Sequence, residues 1–246
     1  MDYGARVYDN ANMQRWLTQD PLAELNYSQS PYAFALNNPV NFVDPDGRDV
    51  VIHYKNSRGG SQQYVYRGED RGKHPARFVN QFLDAYRYNT SNGGGDVLRA
   101  VATNPNITIP LYEAEYNSKF AYGHVWWNPN LGLETTTGNV LSPATILEHE
   151  MDHAASYYQD KEAHYDRTRP GSDAKYGNLE ESRVIRGSES KTARVNGEIR
   201  SGVYTRSDHK GSHVIVTGGP TSTDVHREKS KQFQQELYGK TFDAGW

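Results

Sequence analysis

A short run of residues near the middle of the chain has the types and spacing needed for metal chemistry. It reads His149-Glu150-Met151-Asp152-His153, an H-E-x-x-H pattern. On a helix, two histidines four residues apart can present their imidazole nitrogens to one zinc ion. The glutamate beside the first histidine can take a proton from the water that zinc activates, and the water then attacks a carbonyl group. The pattern therefore predicts a zinc hydrolase with His149 and His153 as ligands and Glu150 as general base.

The segment around this pattern has the features of a helix that begins at residue 143. Ser142 can cap the helix, and Pro143 suits its first position. At about 100° per residue, apolar side chains at positions 147, 151, 154 and 158 fall on one narrow stripe. This stripe predicts the core-facing side of a helix over 143–158, with both histidines on another face. The alternative is that the histidines belong to a solvated polar face and bind nothing.

A catalytic zinc needs a third protein ligand and an open position for water. The extended metzincin pattern requires glycine and histidine where this chain has Ser156 and Gln159, so that class is excluded. Four candidate ligands remain downstream, and these are His164, Asp173, Glu180 and Glu181. Asp173 lies in a segment one residue shorter than the aspzincin pattern, so its carboxylate is expected to be misplaced.

Glu180 and Glu181 follow Asn178 and Leu179 at the start of a predicted helix. Two histidines from one helix and a glutamate from a second helix make the gluzincin arrangement. Asn178 followed three residues later by Glu181 also resembles a capping box, in which both residues serve only the helix end. From the residues alone, the third ligand stays open among the four candidates.

Predicted strands and helices surround the central helix. A β-hairpin is predicted over 49–68, because two β-prone runs flank a loop that contains Gly-Gly. Residues 130–142 are interpreted as a connecting loop and 159–178 as a polar stretch. Two short helices near 179–187 and 190–200, a strand and a polar C-terminal helix complete the chain. The expected fold is α+β, with a mixed sheet packed on the central helix and a mostly helical C-terminal half.

A β-prone run with paired tryptophans precedes the central helix, in the sequence HVWWNPN. In zincins an edge strand above the metal helix pairs with the substrate backbone. Val125, Trp126 and Trp127 are therefore the candidates for that strand. The alternative is a tryptophan pair buried beneath the sheet.

Composition excludes several classes of protein. The 246 residues carry a net charge of −3, and no stripe of basic residues points to nucleic acid. No apolar run is long enough to span a membrane, and Cys is absent, which excludes disulfides and thiol catalysis. The N-terminal residues lack the apolar core of a signal peptide, so we expect no such signal in this chain.

Residues 1–48 differ in character from the rest, being a strip of strand-like and turn-rich sequence. The segments YGARVYD, RWL, DPL, NNP and the closing DPDG occur there in this order. In this respect the strip resembles the C-terminal end of the Rhs-repeat-associated core. In that family a β-shell encloses a variable C-terminal toxin. The resemblance implies that 49–246 is a toxin or effector domain, that the parent chain includes an Rhs shell, and that an immunity protein protects the producing cell.

A second resemblance covers blocks between residues 143 and 209. The order PATILEHEMDHA, NLEESRVI, ARVNGEIR and RSDH is similar to the effector zinc peptidases of enteric and plant pathogens, and remotely to clostridial neurotoxin light chains. This resemblance implies that Glu181 is the third zinc ligand. It also implies that Glu180 orients a zinc-bound histidine and that Arg183 matches the conserved arginine of the glutamate block. Asn196 and Arg200 match the third block.

The last of these blocks departs from the family pattern. Arg206-Ser207-Asp208-His209 has His209 where the family has tyrosine. In the family, the arginine and tyrosine stabilise the oxyanion of the tetrahedral intermediate. The resemblance implies this role for Arg206 and, if its ring donates a hydrogen bond, for His209. The alternative is that both are surface loop residues.

The sequence therefore predicts a zincin-like metallopeptidase of the gluzincin type, acting as a zinc endopeptidase toxin on a protein of a target cell. We expect Zn²⁺ as cofactor, neither nucleic acid nor a membrane span, and delivery by a specialised bacterial secretion route. Two alternatives remain. The domain could be an inert or structural-zinc binding module, which a fourth ligand such as His164 would favour. It could also be a metal-dependent nuclease, against which the acidic charge counts.

Overall fold

A computed structural model describes residues 8–9, 15–16, 50–56, 58–66, 68, 72–104, 107–209 and 212–243. The chain divides into two compact units, residues 1–49 with 104–107 and residues 50–103 with 108–246. In the first unit, strand β1 (Tyr8–Asp9) pairs antiparallel with β2 (Arg15–Trp16). The rest of the Rhs-like strip and its predicted end at residue 48 lie outside the described residues.

The second unit contains a mixed five-stranded sheet with the order β4-β3-β5-β7-β6. Strands β3 (Val50–Lys55), β5 (Ile109–Glu113) and β7 (His124–Trp127) run parallel. Strands β4 (Ser61–Tyr66) and β6 (Lys119–Ala121) flank them antiparallel. The hairpin predicted over 49–68 is confirmed as β3 and β4. Strands β4 and β6 form the two edges of this sheet.

A smaller antiparallel sheet has the order β10-β8-β9. It consists of β8 (Leu131–Glu134), β9 (Val140–Leu141) and β10 (His213–Val216). The interpretation of 130–142 as a loop was therefore wrong. The central strand β8 pairs along its whole length with β10, which comes much later in the chain. Strand formation here depends on that distant partner, so the local sequence carries little signal.

Helices make up most of the remaining structure. They are α1 (Arg77–Ser91), α2 (Asp96–Thr103), α3 (Pro143–Gln159), α4 (Lys161–Arg167), α5 (Leu179–Val184), α6 (Ser190–Val195) and α7 (Arg227–Asp243). A π-helical turn (Ile185–Glu189) joins α5 to α6. Helix α4 falls in the stretch interpreted only as polar, and Asp160 caps it by accepting a hydrogen bond from the Ala163 N–H at 2.9 Å. Among the described residues, no helix is long and apolar enough to cross a bilayer.

Helix α3 lies at the centre of this unit, in contact with strands of both sheets and with most of the other helices. Leu147, Met151 and Ala154 are completely buried, which confirms the predicted core-facing stripe. His149 and His153 are buried as well, so the alternative of a solvated polar face was wrong. Their face is enclosed because α5, the π turn and strand β6 pack over it.

Two hydrogen bonds hold the first turn of α3 in place. Ser142 caps the helix by accepting a hydrogen bond from the Thr145 N–H at 3.3 Å. The indole N–H of Trp127, at the end of β7, donates to the Pro143 carbonyl at 2.8 Å. Because a rigid start sets where every later residue of the helix lies, these bonds position the histidines one and two turns on.

A buried carboxyl group at this helix start is expected to make stability pH-dependent. Glu198 accepts a hydrogen bond from Ser142 Oγ at 2.5 Å. Burial raises the pKa of Glu198 from 4.5 to about 7, and bonds from Ser142 and Thr145 only partly oppose this. The pKa of Glu198 is thus higher in the folded protein than in the unfolded chain. Its contribution to the free energy of unfolding is therefore complete below the unfolded pKa of 4.5 and is lost as pH rises through about 7. Ionisation of Glu198 is expected to change the free energy of unfolding by up to about 3 kcal/mol.

We therefore expect Glu198→Gln to reduce the loss of unfolding free energy between pH 5 and pH 8. Urea melts of both proteins in a chelator at several pH values would measure it. Identical pH dependence in the two proteins would contradict the assignment.

Candidate metal centre

Two imidazole rings meet on one face of α3, one helical turn apart. His149 Nε2 and His153 Nε2 are 3.1 Å apart, and the rings are edge to face with centroids separated by 4.7 Å. Residues four apart on a helix are surface neighbours, which explains the pairing. The helix therefore presents two nitrogen atoms to one point.

Helix α5 brings a carboxylate to the same point. Asn178 caps this helix by accepting a hydrogen bond from the Glu181 N–H at 2.8 Å. The Glu181 side chain faces the histidines, with Oε1 at 3.3 Å from His153 Nε2 and Oε2 at 3.5 Å from His149 Nε2. Asn178 therefore caps the helix as predicted, whereas the Glu181 side chain faces the histidines and does not serve the helix end alone. Within the part of the chain that the structure describes, His149, His153 and Glu181 are the one group of three His, Asp or Glu side chains whose ligand atoms all lie within 4.8 Å of one another.

The spacing of these atoms fits a tetrahedral metal ion. For metal–ligand bonds of about 2.0–2.1 Å, neighbouring ligand atoms of a tetrahedron lie about 3.3 Å apart. The two imidazole nitrogens are 3.1 Å apart, and each lies 3.3 or 3.5 Å from a Glu181 oxygen, Oε1 for His153 and Oε2 for His149. Glu181 Oε2 is buried and receives no hydrogen bond, so it has a lone pair that nothing in the protein satisfies. The donor set of two imidazoles and one carboxylate can therefore hold a divalent metal.

The charges of the three side chains are strongly coupled. Burial alone would lower the pKa of His149, but the carboxylates of Glu181 and Glu189 raise it to about 10. Burial alone would raise the pKa of Glu181, but His149 and His153 hold it well below its usual range. Because a metal binds only the neutral imidazole and the ionised carboxylate, metal binding competes with protonation of these groups.

Glu180 supports the second histidine from behind. Its Oε1 lies 3.5 Å from His153 Nδ1 and 3.5 Å from His164 Nδ1. Arg167 donates to Glu180 Oε2 at 2.6 Å, and Arg183 donates to Oε1 at 2.7 Å. Burial opposes ionisation, but these donors hold the pKa of Glu180 far below its usual range. An ionised Glu180 favours a proton on His153 Nδ1, which leaves Nε2 free for a metal.

Arg183 joins α5 to α3, the helix that carries the two histidines. Its Nη1 donates to Asp152 Oδ1 at 2.8 Å, and Ser188 Oγ donates to Asp152 Oδ2 at 2.5 Å. Asp152, the fourth residue of the H-E-x-x-H pattern, therefore holds α5 and the π turn against α3. No local sequence pattern indicates this role of Asp152, because its partners come from elements that are distant in the chain.

The π turn supplies a functional residue that the sequence analysis missed. Glu189 is completely buried, and its Oε2 lies 2.7 Å from His149 Nδ1. The oxygen lies off the direction of the ring N–H, so the contact is charge attraction more than an aligned hydrogen bond. Glu189 also accepts hydrogen bonds from Arg206 and Thr205. Burial raises its pKa, but Arg206 and His149 together hold the pKa of Glu189 at about 2.

Substitution Glu189→Gln is expected to weaken metal binding by about 10–100-fold, the usual effect of losing a carboxylate behind a metal-bound histidine. The amide removes the negative charge that faces His149 and leaves Arg206 without its counterion. Competition with a chelating dye would measure the change. Glu228→Gln, on an exposed side chain of α7, is the matched control. Equal metal affinity in the Glu189 and Glu228 variants would contradict the role.

The three candidate metal ligands lie in a cleft of about 370 Å³ that also contains the predicted general base. Glu150 is buried there, beside the two histidines. Burial raises the pKa of Glu150, partly offset by the neighbouring histidines. A carboxylate with a raised pKa is a better proton acceptor at neutral pH than an exposed one.

Arg206 and His209 line the same cleft. The Arg206 guanidinium is buried and paired with Glu189, with Nε 3.2 Å from Oε1. His209 is half exposed, and its Nε2 lies 3.6 Å from Glu181 Oε2. The structure therefore brings all six predicted catalytic and metal-binding residues to one cleft.

The candidate substrate strand does not reach this cleft. Strand β7 is interior, and Val125 and Trp127 are completely buried. Trp126 lies on the other face of the sheet, stacked on Tyr112 with ring centroids 5.8 Å apart. The edge position belongs to β6, which the sequence analysis did not separate from β7 because Lys119–Ala121 is only three residues long.

The other candidate ligands have different partners. His164 Nδ1 lies 3.1 Å from Ser156 Oγ. Asp173 is partly buried and accepts hydrogen bonds from the backbone N–H groups of Lys175 and Tyr176 at 2.8 and 2.9 Å. Asn196 donates to Asn89 Oδ1 at 2.8 Å, away from the cluster.

Together, the fold and the site define a mixed α/β protein with a buried His–His–Glu cluster that can hold a metal in a cleft. The family model of the M91 peptidases, described as effector proteins, matches residues 43–201, more than half of the chain. The chain belongs to this family of effector peptidases. Membership indicates a protein substrate and delivery into a host cell. No curated protein and no solved structure matches the chain.

Proposed function

We propose that this protein is a zinc-dependent endopeptidase of the gluzincin type that cleaves a protein of the target cell. One observation carries the proposal. In a member of a peptidase family, His149, His153 and Glu181 converge within 4.8 Å in a cleft that also contains Glu150. Two imidazoles and one carboxylate are the ligand set of catalytic zinc in gluzincins.

The ligand count favours a catalytic site over a structural one. Structural zinc is closed by four protein ligands, whereas catalytic zinc keeps one position open. His164 was the candidate for a fourth ligand, and its Nδ1 contacts Ser156 and Glu180 instead. In the described residues, the cluster therefore has three ligands and faces the cleft.

Each polar group of the cleft has a role in peptide hydrolysis. Zinc, when bound, supplies a Lewis acid and lowers the pKa of water. Glu150 takes the proton of the attacking water and passes it to the leaving amine. Arg206 places a cation, held by Glu189, for the oxyanion that forms at the carbonyl. His209 donates a hydrogen bond to the same oxyanion in place of the tyrosine of related peptidases.

The wider context of the proposal rests on sequence resemblance. We propose a zincin-like fold for residues 49–246 and a polymorphic toxin role behind an Rhs core. The parent chain would then include the Rhs shell, a secretion route would deliver it, and a cognate immunity protein would bind the domain.

Removal and return of zinc tests the proposed activity. We expect the purified protein to contain about one zinc per chain, because the three ligands form one site. Dialysis against a chelator should abolish peptide cleavage, and one equivalent of zinc should restore it. New protein N-termini in treated host-cell lysate would report cleavage. Loss of nucleic acid with all proteins intact would instead favour the nuclease alternative.

A further inference from the structure

The cleft above the candidate metal ligands is lined by two groups of residues. Strand β6 and the segment before it contribute Asn117, Ser118, Lys119 and Phe120. The small sheet and helix α3 contribute the apolar side chains of Leu133, Ile146 and Val214, which we call the apolar wall. A peptide that lies across the cleft would therefore meet this apolar wall beside the candidate ligands.

The apolar wall is built by two elements that meet beside the metal cluster. Leu133 on β8 pairs directly with Val214 on β10, so their side chains lie together on one face of the small sheet. Ile146 lies three residues before His149 on α3 and therefore shares the histidine face. Because Ile146 is fixed relative to the first ligand, the wall is fixed relative to the reacting carbonyl.

This wall is a rigid surface. Leu133 and Ile146 pack against the buried cluster of Leu141, Ala193 and Ile199. All three wall residues are only partly buried, so apolar area still faces the cleft. Covering that area with an apolar side chain is favourable, whereas a charged side chain there would lose hydration without gaining a partner.

The charges of the cleft lie elsewhere. Arg206 is paired with Glu189, and Lys119 Nζ lies 5.7 Å from the centroid of the Trp126 ring, on the sheet face that carries Trp126. Neither offers a free cation beside the apolar wall. The polar groups of the cleft instead surround the metal ligands, where the peptide bond must lie.

We propose that Leu133, Ile146 and Val214 form a subsite for an apolar substrate side chain next to the peptide bond that is cut. This inference rests on the proposed function and adds its substrate class, protein segments with an aliphatic or aromatic residue at one position flanking the cut. The depth of the pocket sets which apolar residues fit. Val214→Ala should therefore shift the preference towards larger side chains.

Cleavage of a peptide library tests the preference. The zinc-loaded protein is incubated with peptides made from a proteome, and the cut sites are read by mass spectrometry. We expect apolar residues to be enriched at one flanking position, and Val214→Ala to move the enrichment from medium to large side chains. Val203→Ala, on an exposed residue outside the cleft, is the matched control and should leave the preference unchanged.

Ligand binding supplies a second readout that needs no turnover. Peptide hydroxamates carry leucine or glycine on one or the other side of the zinc-binding group, and calorimetry measures their affinity for the zinc-loaded protein. In one series, leucine should bind on the order of tenfold tighter than glycine, as burial of its side chain implies. Val214→Ala should reduce this ratio, and Val203→Ala should not.

The possible results test the proposed subsite separately from the proposed peptidase activity. Zinc-dependent cleavage with no apolar enrichment, or equal affinity for leucine and glycine hydroxamates in both series, overturns the subsite and leaves the peptidase intact. A protein that binds neither zinc nor hydroxamates and cuts no peptide overturns the proposed function, and the subsite with it.

Discussion

Substitution Glu150→Gln is expected to abolish peptide cleavage while the protein keeps its metal. The carboxylate is buried in the cleft beside both histidines, but it is not one of the three clustered candidate ligands. An amide of the same size fits the same space, yet it cannot take a proton from water. Loss of general base catalysis lowers the rate by about 10²–10⁴-fold. Zinc content and kcat/KM, measured on the same preparation, would check both halves of the prediction.

The control for this prediction is a glutamate of the same chain that lies far from the cleft. Glu228→Gln changes an exposed carboxylate on α7 that pairs only with Lys231 at 3.0 Å, so it should leave zinc content and rate unchanged. Equal activity, or equal toxicity on expression, of wild-type protein and Glu150→Gln would sink the peptidase proposal. Loss of zinc in Glu150→Gln would instead make Glu150 a ligand and change the assignment of the site.

Substitution Glu181→Ala is expected to remove the third ligand and with it tight metal binding. The carboxylate contributes one of three donor atoms, and the remaining histidine pair would bind zinc in an incomplete site. The loss of affinity should exceed the roughly 10–100-fold that follows removal of a supporting group behind a ligand. Zinc titration against a chelating dye measures the affinity, and activity should fall in parallel at low zinc and recover partly at high zinc.

Asp173→Ala is the comparison that decides between the candidate ligands. The Asp173 side chain is partly buried, and its Oδ1 already accepts two backbone hydrogen bonds in its own turn. Its removal should leave zinc affinity unchanged, although the turn before α5 becomes less stable. A protein that loses zinc on Asp173→Ala and keeps it on Glu181→Ala would contradict the gluzincin assignment. Circular dichroism of both variants in a chelator would show whether the fold survives.

The residues that carry the chemistry were predictable because their relation is local. His149, Glu150 and His153 lie within two turns of one helix, and Ser142 and Pro143 define where that helix begins. Helical geometry alone then places both imidazoles on one side of α3. The third ligand was less certain, because the sequence offered four candidates with carboxylate or imidazole groups. Only the packing of α5 on α3 brings Glu181, and not Asp173, to the histidines.

The supporting groups could not be predicted in the same way. Glu189 reaches His149 because a π turn with Gly187 at a non-helical conformation (φ −95°, ψ −107°) interrupts the helical path between α5 and α6. No residue pattern signals such a turn. Strand β8 likewise depends on β10, and the edge position of β6 depends on the order of the whole sheet.

The amino-acid sequence by itself determined the metal helix, its buried stripe and the pair of histidines, since these follow from spacing within one regular element. Only the packing of distant elements brings the Glu181 carboxylate to the histidines, pairs Glu189 with Arg206 and assembles the lining of the cleft. Each of these joins side chains from elements that are distant in the chain. Such contacts depend on how the elements pack, and local spacing carries no information about packing.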